Sequence, residues 1–368
     1  MDELIQASIK IILQNQSESG AYLACPNFPT YHYSWFRDGS FIAYAMTLAG
    51  ERKSAERFYD WVASTIRARK AVIQRAVFKA NMGILLAPVD VLHTRYTAEG
   101  EDGTTQEWPN FQLDGFGTWL WAIAEYQKES NEGLAPAWKE AASWIGEYLE
   151  ALWQHPCYDC WEEYPQEIHT HTLAAIYAGF MALESLGISG YTETAQAVKD
   201  YIMQHCVYDG YFVKFPGSYT VDASLLGLAV PYQVVALDDP RMIETVNRIR
   251  ASLMRGGGVH RYPTDTYYGG GEWVLLTAWL GWYEAMKGDV NLAYERLNWI
   301  KSQANKDLEL PEQVPASMVD ANNYQPWIKR WGEVASPLLW SHAKSMILYH
   351  TLDKKNSLSN PVIDGSYR

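Results

Sequence analysis

Cysteine is scarce, with four residues in 368: Cys25, Cys157, Cys160 and Cys206. Cys157 and Cys160 form a C-x-x-C, but a structural zinc site needs two further ligands at similar spacing, and neither Cys25 nor Cys206 brings a second pair. No βαβ pattern surrounds the motif, so free thiols are expected and no metal. Basic charge is also short: 30 Lys and Arg stand against 43 Asp and Glu, a net charge of −13 with a pI near 5.2. Nucleic acid and anionic membrane surfaces are therefore poor partners. No apolar run approaches the roughly 20 residues that span a bilayer. The first stretch, MDELIQASIKIILQNQ, reads as an amphipathic helix without a basic leader region or a cleavage site, which points to the cytoplasm. Phosphate-cradling patterns are missing, as is the G-x-S-x-G elbow of serine hydrolases, and no cofactor is expected. No repeat of 33–47 residues suggests a solenoid, and no low-complexity linker divides the chain.

Aromatics, by contrast, are abundant. They make up 14% of the residues, with 16 Trp and 25 Tyr. Such a surplus suits either a Trp-rich core or a site that stacks on flat, polar-rimmed ligands, of which sugars are the commonest. The length exceeds the usual single core of about 250 to 300 residues, so the chain holds two domains or one long closed architecture.

Helical periodicity dominates. Helices are predicted over 2–15, 41–48, 54–69, 115–129, 135–153, 170–186, 192–205, 240–254, 272–286, 291–303 and 337–352, with a short one near 221–229. Ser54 is a candidate N-cap. Residues 83–97 read as extended because Pro88 interrupts any helix there. Roughly a dozen helices joined by uneven loops favour antiparallel pairs wrapped into a ring, with chemistry in the loops at one end. A single domain over 1–368 is the expectation.

Five stretches carry the chemistry. In Cys160-Trp161-Glu162-Glu163-Tyr164, an apolar ring beside paired carboxylates disfavours their ionised form. A carboxyl kept protonated near neutrality can donate to a departing glycosidic oxygen; the alternative is a solvated pair opening the next helix. YHYSWFRDG places Arg37 and Asp38 side by side, suited to gripping adjacent hydroxyls or to a capped ion pair. WPNFQLDG sets Trp108 as a lid candidate and Asp114 as an N-cap. HRYPTDTYYGGGEW surrounds Arg261 and Asp265 with rings and with glycines that admit close approach, or that merely order a tight loop. LPEQV offers Glu312 in a loop, ordinary on its own. His169 and His171 lie two apart on a helix and face different directions, which argues against metal.

Taken in order along nearly the whole chain, YHYSWFRDG, WPNFQLDG, DCWEE, HRYPTDTYYGGGEW and LPEQV followed by PLLWSHA resemble the motifs of glycoside hydrolase family 15, the glucoamylase family. The resemblance implies an all-α (α/α)6 barrel of the six-hairpin glycosidase type. It implies Glu162 as general acid and Glu312 as general base of an inverting pair. It further implies that Arg37, Asp38 and Arg261 hold hydroxyls of a terminal glucose, that Trp35, Trp108, Trp161, Trp273 and Trp340 line the site, and that Tyr31 lies near the attacking water. Glu163 and Gln313 are the expected second contacts. The implied activity is exo-acting release of β-D-glucose from short α-1,4- or α-1,6-linked gluco-oligosaccharides. A glucosyltransferase, a trehalose hydrolase, an inactive sugar-binding relative and a sugar epimerase are the competing readings. No β-sandwich or starch-binding domain accompanies the barrel motifs, which favours soluble substrates over raw starch. The sequence says nothing of oligomeric state.

Overall fold

The computed structural model describes residues 2–104, 107–128 and 133–359. Its first half contains α1 (Glu3–Gln14), α2 (Phe36–Leu48), α3 (Arg52–Arg67), α4 (Lys70–Asn81), α5 (Asp114–Gln127) and α6 (Pro136–Leu152). Then follow α7 (Thr170–Ser185), α8 (Thr192–His205), α9 (Pro240–Leu253), α10 (Val274–Lys287), α11 (Val290–Gln303), α12 (Tyr324–Trp331) and α13 (Leu339–Ser359).

Contacts between these elements close a ring. α2 packs on α5, α5 on α7, α7 on a 3-10 segment at Ala223–Leu228, that segment on α10, α10 on α13, and α13 back on α2. Outside each inner stave lies one partner: α3, α6, α8, α9, α11 and α1 in turn. This is an (α/α)6 barrel in which a 3-10 segment stands as the sixth inner stave.

Sequence composition separates the two layers. Inner α7 and α10 are apolar on all sides and buried along nearly their whole length. Outer α8 and α11 bury one stripe each, Ala195, Val198 and Ile202, and Ala293, Leu297 and Ile300, at the spacing of an amphipathic helix. Small residues set the inner packing. A Cβ added at Gly117 of α5 would sit 2.3 Å from the Ala175 carbonyl of α7, so only glycine lets these helices approach so closely. No helix among the described residues is long and apolar enough to cross a membrane.

Most predicted helices form, with shifted ends. The helix expected at 41–48 begins at Phe36, so Arg37 and Asp38 lie in its first turn and not in a loop. Ser54 caps nothing: it is buried in α3 and donates to Gln16 Oε1 at 2.9 Å. The predicted end of α5 at Glu129 lies outside the described residues. Stretch 83–97 holds no α-helix: it begins in a turn at Gly83, makes a 3-10 turn at Pro88–Asp90, and is a strand only at Arg95–Tyr96. Two helices have no predicted counterpart. α4 buries only Ile73 and Ala76, and α12 buries nothing, so neither carries a strong apolar stripe.

Three two-residue antiparallel ladders pin the loops: β1 (Ser34–Trp35) with β2 (Arg95–Tyr96), β3 (Val207–Tyr208) with β4 (Tyr211–Phe212), and β5 (Glu272–Trp273) with β6 (Gln313–Val314). β1 and β5 lead directly into inner helices α2 and α10, and so fix the chain at one mouth of the barrel.

Candidate active site

Each motif singled out in the sequence falls just before an inner stave or in its first turn. Trp35, Arg37 and Asp38 open α2, Gln112 and Asp114 open α5, and the Trp161–Glu163 loop precedes α7. Arg261 and Trp273 precede α10, while Glu312 and Trp340 flank the start of α13. The N-terminal ends of the inner staves therefore gather these side chains around one cavity of about 270 Å³. Both Glu162 and Glu312 line it. Glu162 lies in the loop before α7, and Glu312 lies just ahead of β6, its carbonyl accepting the Val274 N–H at the start of α10.

The loop carrying Glu162 is held under strain. Glu162 and Tyr164 adopt left-handed backbone angles, φ 68° and 51°, which cost energy in any residue but glycine. Asp159 compensates: its Oδ1 accepts the backbone N–H of Trp161 and of Glu163, both at 2.9 Å. Lys214 Nζ lies 2.8 Å from Asp159 Oδ2 and 2.6 Å from Asp222 Oδ2, forming a buried cation between two carboxylates. Asp222 also accepts the indole N–H of Trp161 at 3.1 Å. Burial works against ionising Asp159, yet Lys214, His169 and the Glu163 N–H together hold it below the usual carboxylate range.

Glu162 Oε1 accepts from Trp35 Nε1 at 2.8 Å and from Gln112 Nε2 at 3.1 Å. Burial raises its pKa, with Arg37 the main opposing charge. Arg37 is shared out behind it, donating to Gln112 Oε1 at 2.9 Å and Asp114 Oδ2 at 3.2 Å while lying 3.3 Å from Asp38 Oδ1. Asp114 is thus an ion-pair partner and not the expected N-cap; no side chain caps α5. Asp38 is buried and raised to about 6, against the pull of Arg37.

Glu312 follows different rules. Its backbone is locked by Ala335, and Oε2 meets no donor among the described residues although it is buried. Burial pushes this carboxyl up to about 8, opposed by Arg261 and by Tyr31, and assisted by Asp38 and Asp265. The Tyr31 hydroxyl is 2.8 Å from that of Tyr267. Arg261 is oriented by Asp265, with Nε donating to Oδ2 at 2.8 Å, and the rings of Trp161, Tyr267 and Trp273 surround its guanidinium at 5.1–5.6 Å. Glu163 takes the Tyr262 hydroxyl at 2.7 Å and faces Arg261 at 3.4 Å; burial raises it too, with Arg261 opposing.

Around these carboxyls stand the expected rings. Trp35 meets Trp108 edge-on at 6.0 Å, and Trp161 lies 5.5 Å from Trp273 and 6.5 Å from Trp340. Carboxyls with raised pKa values inside an aromatic wall are groups that can donate or accept a proton.

The sequence matches the family model for glycosyl hydrolases family 15 over residues 2–323. The chain belongs to this family. It is 38% identical over 356 residues to the isomaltose glucohydrolase of Kribbella flavida, covering 95% of this chain and 92% of that protein. A solved glycosidase in complex with glucose superposes with a TM-score of 0.92 at 37% identity, over 95% of this chain and 96% of that one. A bacterial glucoamylase complexed with acarbose shares the fold alone, with a TM-score of 0.73 at 20% identity over 96% of this chain and 56% of that one.

This family 15 hydrolase brings twelve of its thirteen expected site residues to the cavity wall: Tyr31, Trp35, Arg37, Asp38, Trp108, Trp161, Glu162, Glu163, Arg261, Trp273, Glu312 and Trp340. Gln313 is the exception, absent from the wall. It sits behind the wall in β6, accepting the Gly271 N–H at 2.8 Å and donating to the Tyr267 carbonyl at 3.2 Å, so it shapes the Tyr267 loop without facing the cavity. Cys157 and Cys160 are buried free thiols. His169 and His171 bond to the backbone carbonyls of Tyr164 and Ser224, each at 3.0 Å. Sequence reasoning missed the Asp159–Lys214–Asp222 support, the second face of Gln112, and the wall residues Tyr267, Trp327, Arg330 and Trp331.

Proposed function

We propose that this family 15 glycoside hydrolase removes glucose from the non-reducing end of short α-gluco-oligosaccharides with inversion, releasing β-D-glucose. What carries the reading is the pair of carboxyls, half-buried Glu162 and buried Glu312, that line one cavity. Glu162, whose pKa burial raises, gives its proton to the glycosidic oxygen as the C1–O bond breaks. Glu312, in its ionised form, takes a proton from a water that forms the new C1–O bond on the opposite face of the ring. Its donor-free Oε2 is the atom available to that water. Inversion requires about 6.5–9.5 Å between the two carboxyl groups.

In the same proposal Arg37, Asp38 and Arg261 grip hydroxyls of the terminal glucose, with Glu163 behind Arg261. Tyr31 stands near the water, and Trp35, Trp108, Trp161, Trp273 and Trp340 enclose the ring. Similarity to an isomaltose glucohydrolase favours α-1,6 or α-1,4 disaccharides over polymer. A cytoplasmic setting, on imported or partly degraded α-glucosides, belongs to the proposal as well.

A panel of maltose, isomaltose, kojibiose, nigerose, trehalose and panose, with the first-formed anomer followed by NMR, tests it. β-Glucose appearing before its anomer is the expected outcome. α-Glucose first would reject inversion, transfer products without free glucose would make the enzyme a transferase, and cleavage confined to trehalose would replace the substrate class.

A further inference from the structure

The floor and the outer wall of the active-site cavity are made of different chemistry. On the floor, Arg37, Asp38 and Arg261 offer charged groups held in ion pairs, beside the carboxyls of Glu162 and Glu312. The outer wall receives three residues from α12, namely Trp327, Arg330 and Trp331. The family match ends at residue 323, immediately before this helix.

α12 has no buried residue, and among its side chains only Trp331 packs against the edge of the core. Yet it carries two tryptophans one helical turn apart, which puts both on one face, and Arg330 lies over both rings, 5.6 Å from Trp327 and 4.9 Å from Trp331. The helix is moored by its aromatic face. Trp327 packs on Tyr267 at 4.9 Å and on Tyr268 at 6.0 Å, and the Tyr268 hydroxyl donates to the Gly332 carbonyl at 3.0 Å just past its end. Two half-buried indoles beside a site, on a helix with no fully buried residue, leave exposed apolar surface that a ligand would cover.

Resting on the exo-glucosidase reading, we propose that α12 binds the leaving-group sugar: Trp331 and Trp327 stack on its ring, and Arg330 donates to its hydroxyls or ring oxygen. The glucose to be released is held by the charged floor, whereas its partner is held by stacking, which recognises a ring without fixing each hydroxyl. Linkage preference and chain-length limit then lie in α12.

The test compares two substrates that share the released glucose. Isomaltose carries a second sugar, and α-D-glucosyl fluoride carries none. Trp331→Ala and, separately, Arg330→Ala are measured with both, and the ratio of kcat/KM for isomaltose to that for the fluoride is expected to fall by about tenfold or more. A ratio within about twofold of the parent in both variants overturns the assignment, because the loss is then common to substrates with and without a leaving-group sugar. A parent enzyme inert toward glucosyl fluoride overturns instead the glucosidase reading beneath it. Neither substituted residue is buried, so both variants keep the barrel intact; unchanged thermal unfolding confirms it.

Discussion

At one end of the barrel, a cavity of about 270 Å³ is walled by carboxyls, arginines and indoles; at the other, a hollow of about 970 Å³ is lined by Tyr44, Trp121, Trp282, His350 and the 229–237 loop. The second is several times larger and also aromatic, but its acids are committed. Asp239 chelates Arg241 at 2.9 and 2.7 Å, which with its backbone bonds holds it below the usual range, and Glu125 takes Lys128 at 2.6 Å. In the smaller cavity, burial raises Glu162 and Glu312, and no cation forms a salt bridge to either among the described residues. Neither volume nor aromatic lining marks the reactive end. What distinguishes the smaller cavity is a pair of carboxyls that burial raises and that no ion pair neutralises among the described residues.

The sharpest attack on that contrast is at the carboxyls. Glu162→Gln and Glu312→Gln should each lower glucose release by about 10²–10⁴-fold, with the Glu162 loss smaller on aryl glucosides whose leaving group needs little protonation. Near-normal rates would leave the smaller cavity no more reactive than the larger one. The same substitution probes stability. Because burial lifts Glu312 from 4.5 to about 8, the folded state holds its proton more tightly than the unfolded chain does. The stability linked to that proton is complete below pH 4.5 and is lost as pH rises through about 8. Glu312→Gln, neutral throughout, should therefore gain in Tm over the parent between pH 6 and pH 9. An equal shift at both values would show that the carboxyl is not held in a water-poor site.

Next in size is Lys214→Met, which leaves Asp159 and Asp222 buried without their cation and should cost about 3–5 kcal/mol in denaturant unfolding. The Glu162 loop hangs from Asp159, so kcat should fall too. Full activity in the folded variant would detach the loop geometry from the buried triad. The smallest effect is expected at the other mouth: Lys354→Glu should keep kcat/KM within about twofold, and a larger change would mean that the two ends are not chemically separate.

Legibility in the sequence followed chain distance. Trp161-Glu162-Glu163 and Arg37-Asp38 stand out because their neighbours in sequence are also neighbours in space, and the apolar inner helices announce themselves by composition. Lys214 does not, since nothing in Val213-Lys214-Phe215 shows that the ammonium is buried between Asp222, later in its own loop, and Asp159 of the loop before α7. Asp114 was misread as a cap because an acid before a helix has that local use; the Arg37 that claims it lies on another stave. Gln313 stands off the cavity wall for a local reason: as the first residue of β6 its side chain is taken up by the Gly271 N–H and the Tyr267 carbonyl. α12 escaped notice because period analysis detects helices that bury a stripe in a core, and its tryptophans face the cavity.

The sixth stave has a geometric aftermath. Six residues of 3-10 helix rise about 12 Å, whereas a 14-residue inner α-helix rises about 21 Å. Its upper end is tied at Asp222, beneath Trp161, so the shortfall of some 9 Å lies at the far rim, where the chain wanders through Ala229–Leu237 and the large hollow opens. That rim is unfinished masonry: extra chain spliced between Gln233 and Asp238 has somewhere to go, and the barrel could take on an appended module there without disturbing a single catalytic loop.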